Sequence, residues 1–147
     1  MWYWHEGYYS GCSGLYNLSW RAIINSRDPK LTALQFNEYI NGQDIEGLAS
    51  LMTEGHTFID REGRVDRGKE SMTGGWIEFF EAFPDYRNTF TRVDSRDDLV
   101  ILIGCATWER DSPADHAIWT ARIEDDLVAE WRIFHDTEEN RKRFGIL

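Results

Sequence analysis

The chain predicts an α+β fold in which helices cover one face of a curved antiparallel meander. Residues 86–94, 99–109, 116–124 and 127–135 are each rich in β-branched and aromatic residues. Short polar turns at 95–98, 110–115 and 124–126 separate them, as antiparallel neighbours require. Sequential strands of this kind cannot bury both faces alone. The amphipathic helical patterns all lie before them, so helices have to close one side of the sheet.

The elements follow in order. Residues 1–27 form an aromatic N-terminal extension, with Trp2, Tyr3, Trp4, Tyr8, Tyr9, Tyr16 and Trp20 among Gly and Ser and a short helical pattern at 15–24. It reads as an accessory tail or as a lid that covers its aromatics. The folded domain is 28–147. Asp28 caps the first helix with Pro29 at its first position, Leu31, Leu34, Phe36, Tyr39 and Ile40 form its apolar side, and Asn41-Gly42 ends it. Asp44 caps a second helix over 45–52. A short strand at 56–60 turns back through Arg61-Glu62-Gly63-Arg64 to Val65. The third helix, 69–83, places Met72, Trp76, Phe79, Phe80 and Phe83 three to four residues apart before Pro84 stops it. Its interior Gly74-Gly75 costs about 1 kcal/mol per glycine relative to Ala, which suggests a close backbone approach or a kink. Residues 137–144 form a polar, basic helical tail.

At 147 residues, with 41% hydrophobic and 14% aromatic composition, the chain makes one globular domain with a sufficient core. A net charge of −10 argues against nucleic acid and anionic membrane surfaces as partners. No apolar run reaches the roughly 20 residues of a membrane span, and the start lacks a signal-peptide pattern; a cytoplasmic location is expected. Cys12 and Cys105 lack metal-ligand spacing, which fits free thiols in a reducing compartment.

The run Phe36-Asn37-Glu38-Tyr39-Ile40-Asn41-Gly42-Gln43-Asp44-Ile45-Glu46-Gly47-Leu48, followed by Phe58-Ile59-Asp60, resembles the SnoaL-like, ketosteroid-isomerase-like branch of the nuclear transport factor 2-like superfamily. Arg64–Gly68 before a helix and Glu130-Trp131-Arg132-Ile133-Phe134 in the last strand are also similar to it. The resemblance implies a cystatin-like cone (an α+β barrel), its curved sheet wrapped around three N-terminal helices, with an apolar pocket inside and a homodimer formed through the outer sheet face. It implies a hydrophobic small-molecule ligand and a cofactor-independent isomerase, cyclase or dehydratase acting on a carbonyl or polyketide-like compound.

By the same resemblance Asp60 stands where ketosteroid isomerases carry their general base. Their oxyanion-hole Tyr and Asp positions fall on Phe36 and Trp119 here, a departure that argues against steroid isomerisation by that arrangement. An indole N–H from Trp119 or the His135 imidazole is left as the donor to a developing oxyanion. No Arg-x-Asp pair marks an epoxide-hydrolase-like site. Against the base role, Asp60 at a strand end is also suited to capping the hairpin. His135 lies four residues after Trp131 and so faces the same side; its other role is a hydrogen-bonded histidine beside Asp136. His116 has the opposite parity to Trp119 and is expected on the outer surface. His56 shares the parity of Asp60 but lies at the far end of its strand. Phe36, Tyr39, Phe58, Trp76, Phe80, Trp108 and Trp131 are candidate pocket walls for a flat apolar ligand, against the simpler role of core packing. His56, Asp60, His116 and His135 make no local metal motif, so neither a metal nor a cofactor is expected. A binding or dimerisation module without chemistry, or a pure scaffold, remains the alternative.

Overall fold

The structure, a computed structural model, describes residues 27–146. The expectations for the N-terminal extension and for Cys12 lie outside the described residues. Among the described residues four helices, α1 (Pro29–Asn41), α2 (Ile45–Leu51), α3 (Lys69–Ala82) and α4 (Glu138–Arg143), accompany a curved six-stranded sheet. Its strands are β1 (Met52–Ile59), β2 (Val65–Arg67), β3 (Arg87–Arg96), β4 (Leu99–Thr107), β5 (Asp115–Glu124) and β6 (Leu127–His135), in the order β2-β1-β6-β5-β4-β3. The α+β class and the helix-then-meander layout are as expected. One pairing was not foreseen: β1 joins the meander parallel to β6, Phe58 opposite Trp131 and Ile59 opposite Arg132. Among the described residues no helix is long and apolar enough to cross a membrane.

The glycine-rich turn that carries the family resemblance has a physical explanation at each position. The Asp28 carboxylate accepts from Lys30 N–H at 3.0 Å and starts α1 with Pro29. At the far end Gln43 takes a positive φ of 54°, and Asp44 caps α2 by accepting from Gly47 N–H at 2.9 Å. Gly47 has no substitute there, because a Cβ would lie 2.5 Å from the Tyr39 ring. Gly42 N–H and Gln43 N–H bond back to Glu38 and Ile40. Asn41 does more than end the helix. Its side-chain amide pairs with the Asn88 peptide group in both directions, at 2.9 and 2.8 Å, and Asn88 Nδ2 reaches Asn37 Oδ1 at 3.1 Å. That clamp ties α1 to β3 as a strand neighbour would.

Several boundaries shift. Met52 belongs to β1, not to the second helix: its backbone is extended and it pairs with Val128, so β1 begins without a linker. The Gly74-Gly75 pair gives no close backbone approach, because a Cβ at either position would meet nothing within 4 Å. The close approach occurs at Gly104 in β4, where a Cβ would clash with the Thr89 carbonyl and sit 2.8 Å from Phe90 Cα. The β3–β4 register slips between Phe90 and Arg92 at the same place, a bulge that bends the strands.

The concave face carries the main core, including Phe36, Ile40, Leu48, Met72, Trp76, Leu102, Trp119 and Trp131. A second cluster lies on the convex face: Ile101, Ile103, Ile118 and Phe134, covered by Phe144 and Ile146 from the C-terminal segment. The Phe134 and Phe144 rings lie 5.0 Å apart, edge-on. Arg96 donates to the Phe144 carbonyl, and Arg92 to the Ile146 carbonyl at 3.4 Å. The segment expected to be only a polar tail therefore seals part of the outer sheet face.

His56 is fully buried against Phe36, with ring centroids 5.6 Å apart. Its Nδ1 lies 2.7 Å from the Val128 carbonyl, so Nδ1–H donates and the buried Nε2 lone pair has no partner among the described residues. Burial outweighs the carbonyl contact and pushes its pKa below the usual 6.5. A histidine depressed in the folded state binds fewer protons there than in the unfolded chain, so its stability contribution is full above about pH 6.5 and falls as the pH drops below it. The melting temperature is expected to fall between pH 7 and pH 5, and His56→Leu to flatten that part of the profile. Gly104→Ala is expected to cost about 1–3 kcal/mol or more in urea denaturation, because backbone rather than a mobile side chain opposes the new methyl.

Candidate functional site

The concave face is not filled to its end. Where α1 and α2 pack, Phe36 closes the core against His56 and Trp131. Between α3 and the ends of β1, β4 and β6 a cavity of about 620 Å³ remains. Phe58, Trp131 and Ile133 line it from β1 and β6, and Met72, Trp76 and Phe79 from α3. Tyr86 and Trp108, flanking β3 and β4, complete the apolar wall. Edge-on contacts lock these rings: Trp76–Phe79 at 5.6 Å, Phe79–Tyr86 at 4.8 Å and Tyr86–Trp108 at 4.9 Å. Such pairs hold the wall in a defined shape. Gly75 also lines the cavity, and a Cβ there would meet nothing within 4 Å.

Charged residues stand at the other end, supplied by the β1–β2 hairpin (Asp60, Arg61, Glu62, Arg64 and Asp66) and by Asp115 and His135 at strand ends. Asp60 shapes that hairpin. Its Oδ1 accepts from Glu62 N–H and Arg64 N–H, both at 2.9 Å, and its Oδ2 from Arg64 Nε at 2.7 Å. Gly63, at a φ of 83°, lets the turn close. Desolvation acts to raise the Asp60 pKa, but the hydrogen bonds and charge of Arg64 and the Glu62 N–H outweigh it and hold the carboxyl below the ordinary carboxylate range. Asp60 is thus an ionised hairpin cap with most of its acceptor capacity used. The Arg64 side chain is 80% exposed, and an ion pair so exposed is worth about 0–1 kcal/mol.

His135 lines the same cavity and is exposed at its end. Its carbonyl accepts from Thr137 N–H at 3.0 Å and Asn140 Nδ2 at 2.8 Å, which pins the strand end. Among the described residues the imidazole makes no hydrogen bond. Asp136 does not hold it, because both Asp136 oxygens are taken by Arg141 at 2.6 and 2.9 Å. That bidentate pair holds Asp136 below the usual carboxylate range.

Asp60, His135, Phe58, Trp76, Trp108 and Trp131 therefore meet at one cavity. Four other expected site residues do not reach it. Trp119 is fully buried, packed edge-on against Phe90 at 5.0 Å, with its Nε1 enclosed and unpartnered among the described residues; it stands one strand over, opposite Ile133 of the cavity wall, and does not line the cavity. Phe36 lies in the core between His56 and Trp131. Tyr39 packs over Gly47. Phe80 stacks on Trp76 at 5.5 Å without lining the cavity. His116 is exposed, and His56 is sealed in the core.

The structure adds Arg61, Tyr86 and Asp115. Arg61 Nη2 donates to Asp115 Oδ2 at 2.7 Å, and Trp108 Nε1 donates to the same oxygen at 3.1 Å. Arg61 and Asp115 are distant in sequence, so no local motif announces them. Tyr86 carried only a strand-start signal. Among the described residues no group of three or more His, Cys, Asp or Glu is placed to hold a metal ion.

The SnoaL-like domain family matches residues 33–131. No curated protein gave a significant match. Among solved structures, a cystatin-fold protein from Novosphingobium aromaticivorans superposes with a TM-score of 0.67 at 19% identity, covering 75% of this chain and 100% of that one. A protein assigned as a SnoaL-like polyketide cyclase from Shewanella putrefaciens gives 0.65 at 13% identity, covering 88% and 94%. One assigned as a ketosteroid isomerase from Kribbella flavida gives 0.63 at 16%, covering 78% and 85%. At these identities the likeness to solved structures is one of fold, the nuclear transport factor 2-like fold. The family match covers most of the chain and includes the Asn41–Gly47 turn, β1 and the aromatic wall, and on it the protein belongs to the SnoaL-like domain family.

Proposed function

We propose that the protein is a cofactor-independent cytoplasmic enzyme that binds a flat, hydrophobic carbonyl compound of polyketide type and moves a proton α to the carbonyl, as an isomerase, cyclase or dehydratase does. The observation that carries this is one cavity with rigid aromatic walls and proton-transferring side chains confined to one end. The walls position and desolvate a planar ligand. Asp60 was the expected base, but a carboxylate with three hydrogen-bond donors and a depressed pKa accepts a proton poorly. We therefore place proton transfer on His135 and give Asp60 the task of holding the hairpin that forms the rim. The same saturation of Asp60 favours a second reading, a binding module that uses the cavity without chemistry. The homodimer implied by the family is proposed to use the part of the outer face that Phe144 and Ile146 leave uncovered.

Deuterium exchange of α-protons, followed by mass spectrometry over a panel of aryl ketones and polyketide-like diketones, tests this. Wild type is expected to exchange at least one of them, and His135→Gln to lose about 10²–10⁴-fold while still binding it. Asp60→Asn is expected to fall by less than tenfold in exchange and to melt at a lower temperature. Loss in Asp60→Asn with His135→Gln unaffected would return the base to Asp60. Binding without exchange by wild type would establish the binding module. Gly75 provides a check that the cavity is the site: Gly75→Ala should stabilise the fold by up to about 1 kcal/mol, whereas Gly75→Leu should abolish ligand binding while the protein stays folded.

A further inference from the structure

Arg61 is a cation fixed on the cavity wall. Its Nη2 is bound to Asp115 at 2.7 Å, its Nη1 reaches the His116 carbonyl at 3.4 Å, and only 18% of its side chain is exposed. Asp115 is itself held by the Trp108 indole at 3.1 Å, so the guanidinium rests on a wall residue through two hydrogen bonds. A guanidinium has five N–H donors, and these contacts use two of them. Tyr86 lines the same cavity, is only 6% exposed and lies edge-on to Trp108 at 4.9 Å. Burial raises its phenol well above the usual tyrosine range, against the opposing pulls of the Arg61 charge and of the Asn88 side-chain amide beside it; with that amide as donor, the protonated hydroxyl keeps its own O–H to give. Two of the indole donors on the wall are occupied or enclosed: Trp108 Nε1 serves Asp115, and Trp76 Nε1 is buried without solvent access.

We propose that Tyr86 and Arg61 bind the carbonyl oxygen of the substrate and stabilise the enolate formed when the α-proton leaves. This rests on the proton-transfer reading above and adds the substrate's polarity to it. Four carboxylates (Asp60, Glu62, Asp66 and Asp115) face two guanidiniums (Arg61 and Arg64) around the cavity. That excess of negative charge repels a ligand that arrives as an anion. A neutral ketone, whose charge develops only inside, uses the Tyr86–Arg61 pair in the transition state and not before. In the step, the α C–H bond breaks and its proton passes to the His135 imidazole. The C–H electron pair becomes the new C=C bond, and the carbonyl π pair moves onto the oxygen facing Tyr86 and Arg61. Return of the same proton to the α-carbon, or to the γ-carbon of a conjugated ketone, restores the enzyme with nothing else consumed.

The test uses 2-naphthol, whose ionisation is read by absorbance and which imitates a ring-bound enolate. Bound to wild type it should ionise at least tenfold more readily than in solution. Tyr86→Phe and Arg61→Lys should each remove most of that shift. The lysine variant keeps a cation beside Asp115, and melting curves confirm that both variants fold. Tyr86→Phe should also slow α-proton exchange of the ketone by about 10²–10³-fold with KM changed less than about threefold. Naphthol held by wild type in its neutral form with unshifted ionisation overturns the proposal, as does a Tyr86→Phe variant that keeps both the shift and the exchange. A shift abolished in Tyr86→Phe, in a protein that exchanges no ketone, keeps the oxygen-binding pair and removes the proton-transfer reading instead.

Discussion

The cavity depends on a bend in the sheet, and the bend depends on one close backbone approach. At Gly104 the β4 backbone passes so near the Thr89 carbonyl and Phe90 Cα that no side chain fits between them. The pairing slips by a residue beside it, between Phe90 and Arg92. Bulges of this kind increase local twist and turn a strand's ends toward one face. A flat sheet would let α3 pack along its whole width and leave no space between them. Bent as it is, the sheet meets α1 and α2 closely, where Phe36 and Trp131 touch at 5.0 Å, and diverges from α3 at the other end. The Asn41–Asn88 clamp fixes which end is closed.

A cavity of this size is not empty for want of large residues. Trp76, Trp108 and Trp131 stand around it; edge-on contacts with Phe79 and Tyr86 hold Trp76 and Trp108 to the wall, and Phe36 holds Trp131, so that none collapses inward. Gly75, in the middle of α3, withholds a side chain where one would fit. Each of these choices costs stability: unfilled apolar volume forfeits packing, and a helical glycine adds about 1 kcal/mol. Both costs fall at the same place, at the cavity that Asp60, Asp115 and His135 also line, as expected where a ligand completes the packing. The polar groups at the rim follow a different rule. Four of them are tied in two pairs, Asp60 with Arg64 and Asp115 with Arg61, so the positions of those four are set before anything binds.

Much of the fold was legible because its signals are local. The Asp28–Pro29 start, the Asn41–Gly47 turn and the apolar spacing of α3 each act within a few residues. The structure gives each a mechanism, most directly at Gly47, whose missing Cβ makes room for Tyr39. The parallel pairing of β1 with β6 was not legible, because no turn chemistry joins strands so far apart. Neither was the start of β1 at Met52, where helix passes into strand without a glycine or proline to mark it. The candidate site divides in the same way. Strand parity correctly put His135 and Trp131 on one face, since alternation is a property of the strand alone. Parity says nothing about which strand of the concave face borders the opening, which is why Trp119, opposite the cavity-lining Ile133 but one strand over, still misses the cavity. The state of Asp60 came from the Arg64 turn that holds it ionised, and the Arg61–Asp115–Trp108 chain is assembled only by the tertiary fold.

The most direct measurement is a crystal structure of the protein with 2-naphthol or an aryl ketone bound. The expected result is a planar ring against Trp76, Trp108 and Trp131, its oxygen within hydrogen-bond distance of Tyr86 and Arg61 and its reacting carbon turned toward His135. A ligand outside the cavity, or one inside it with its oxygen turned away from Tyr86 and Arg61, would contradict this arrangement.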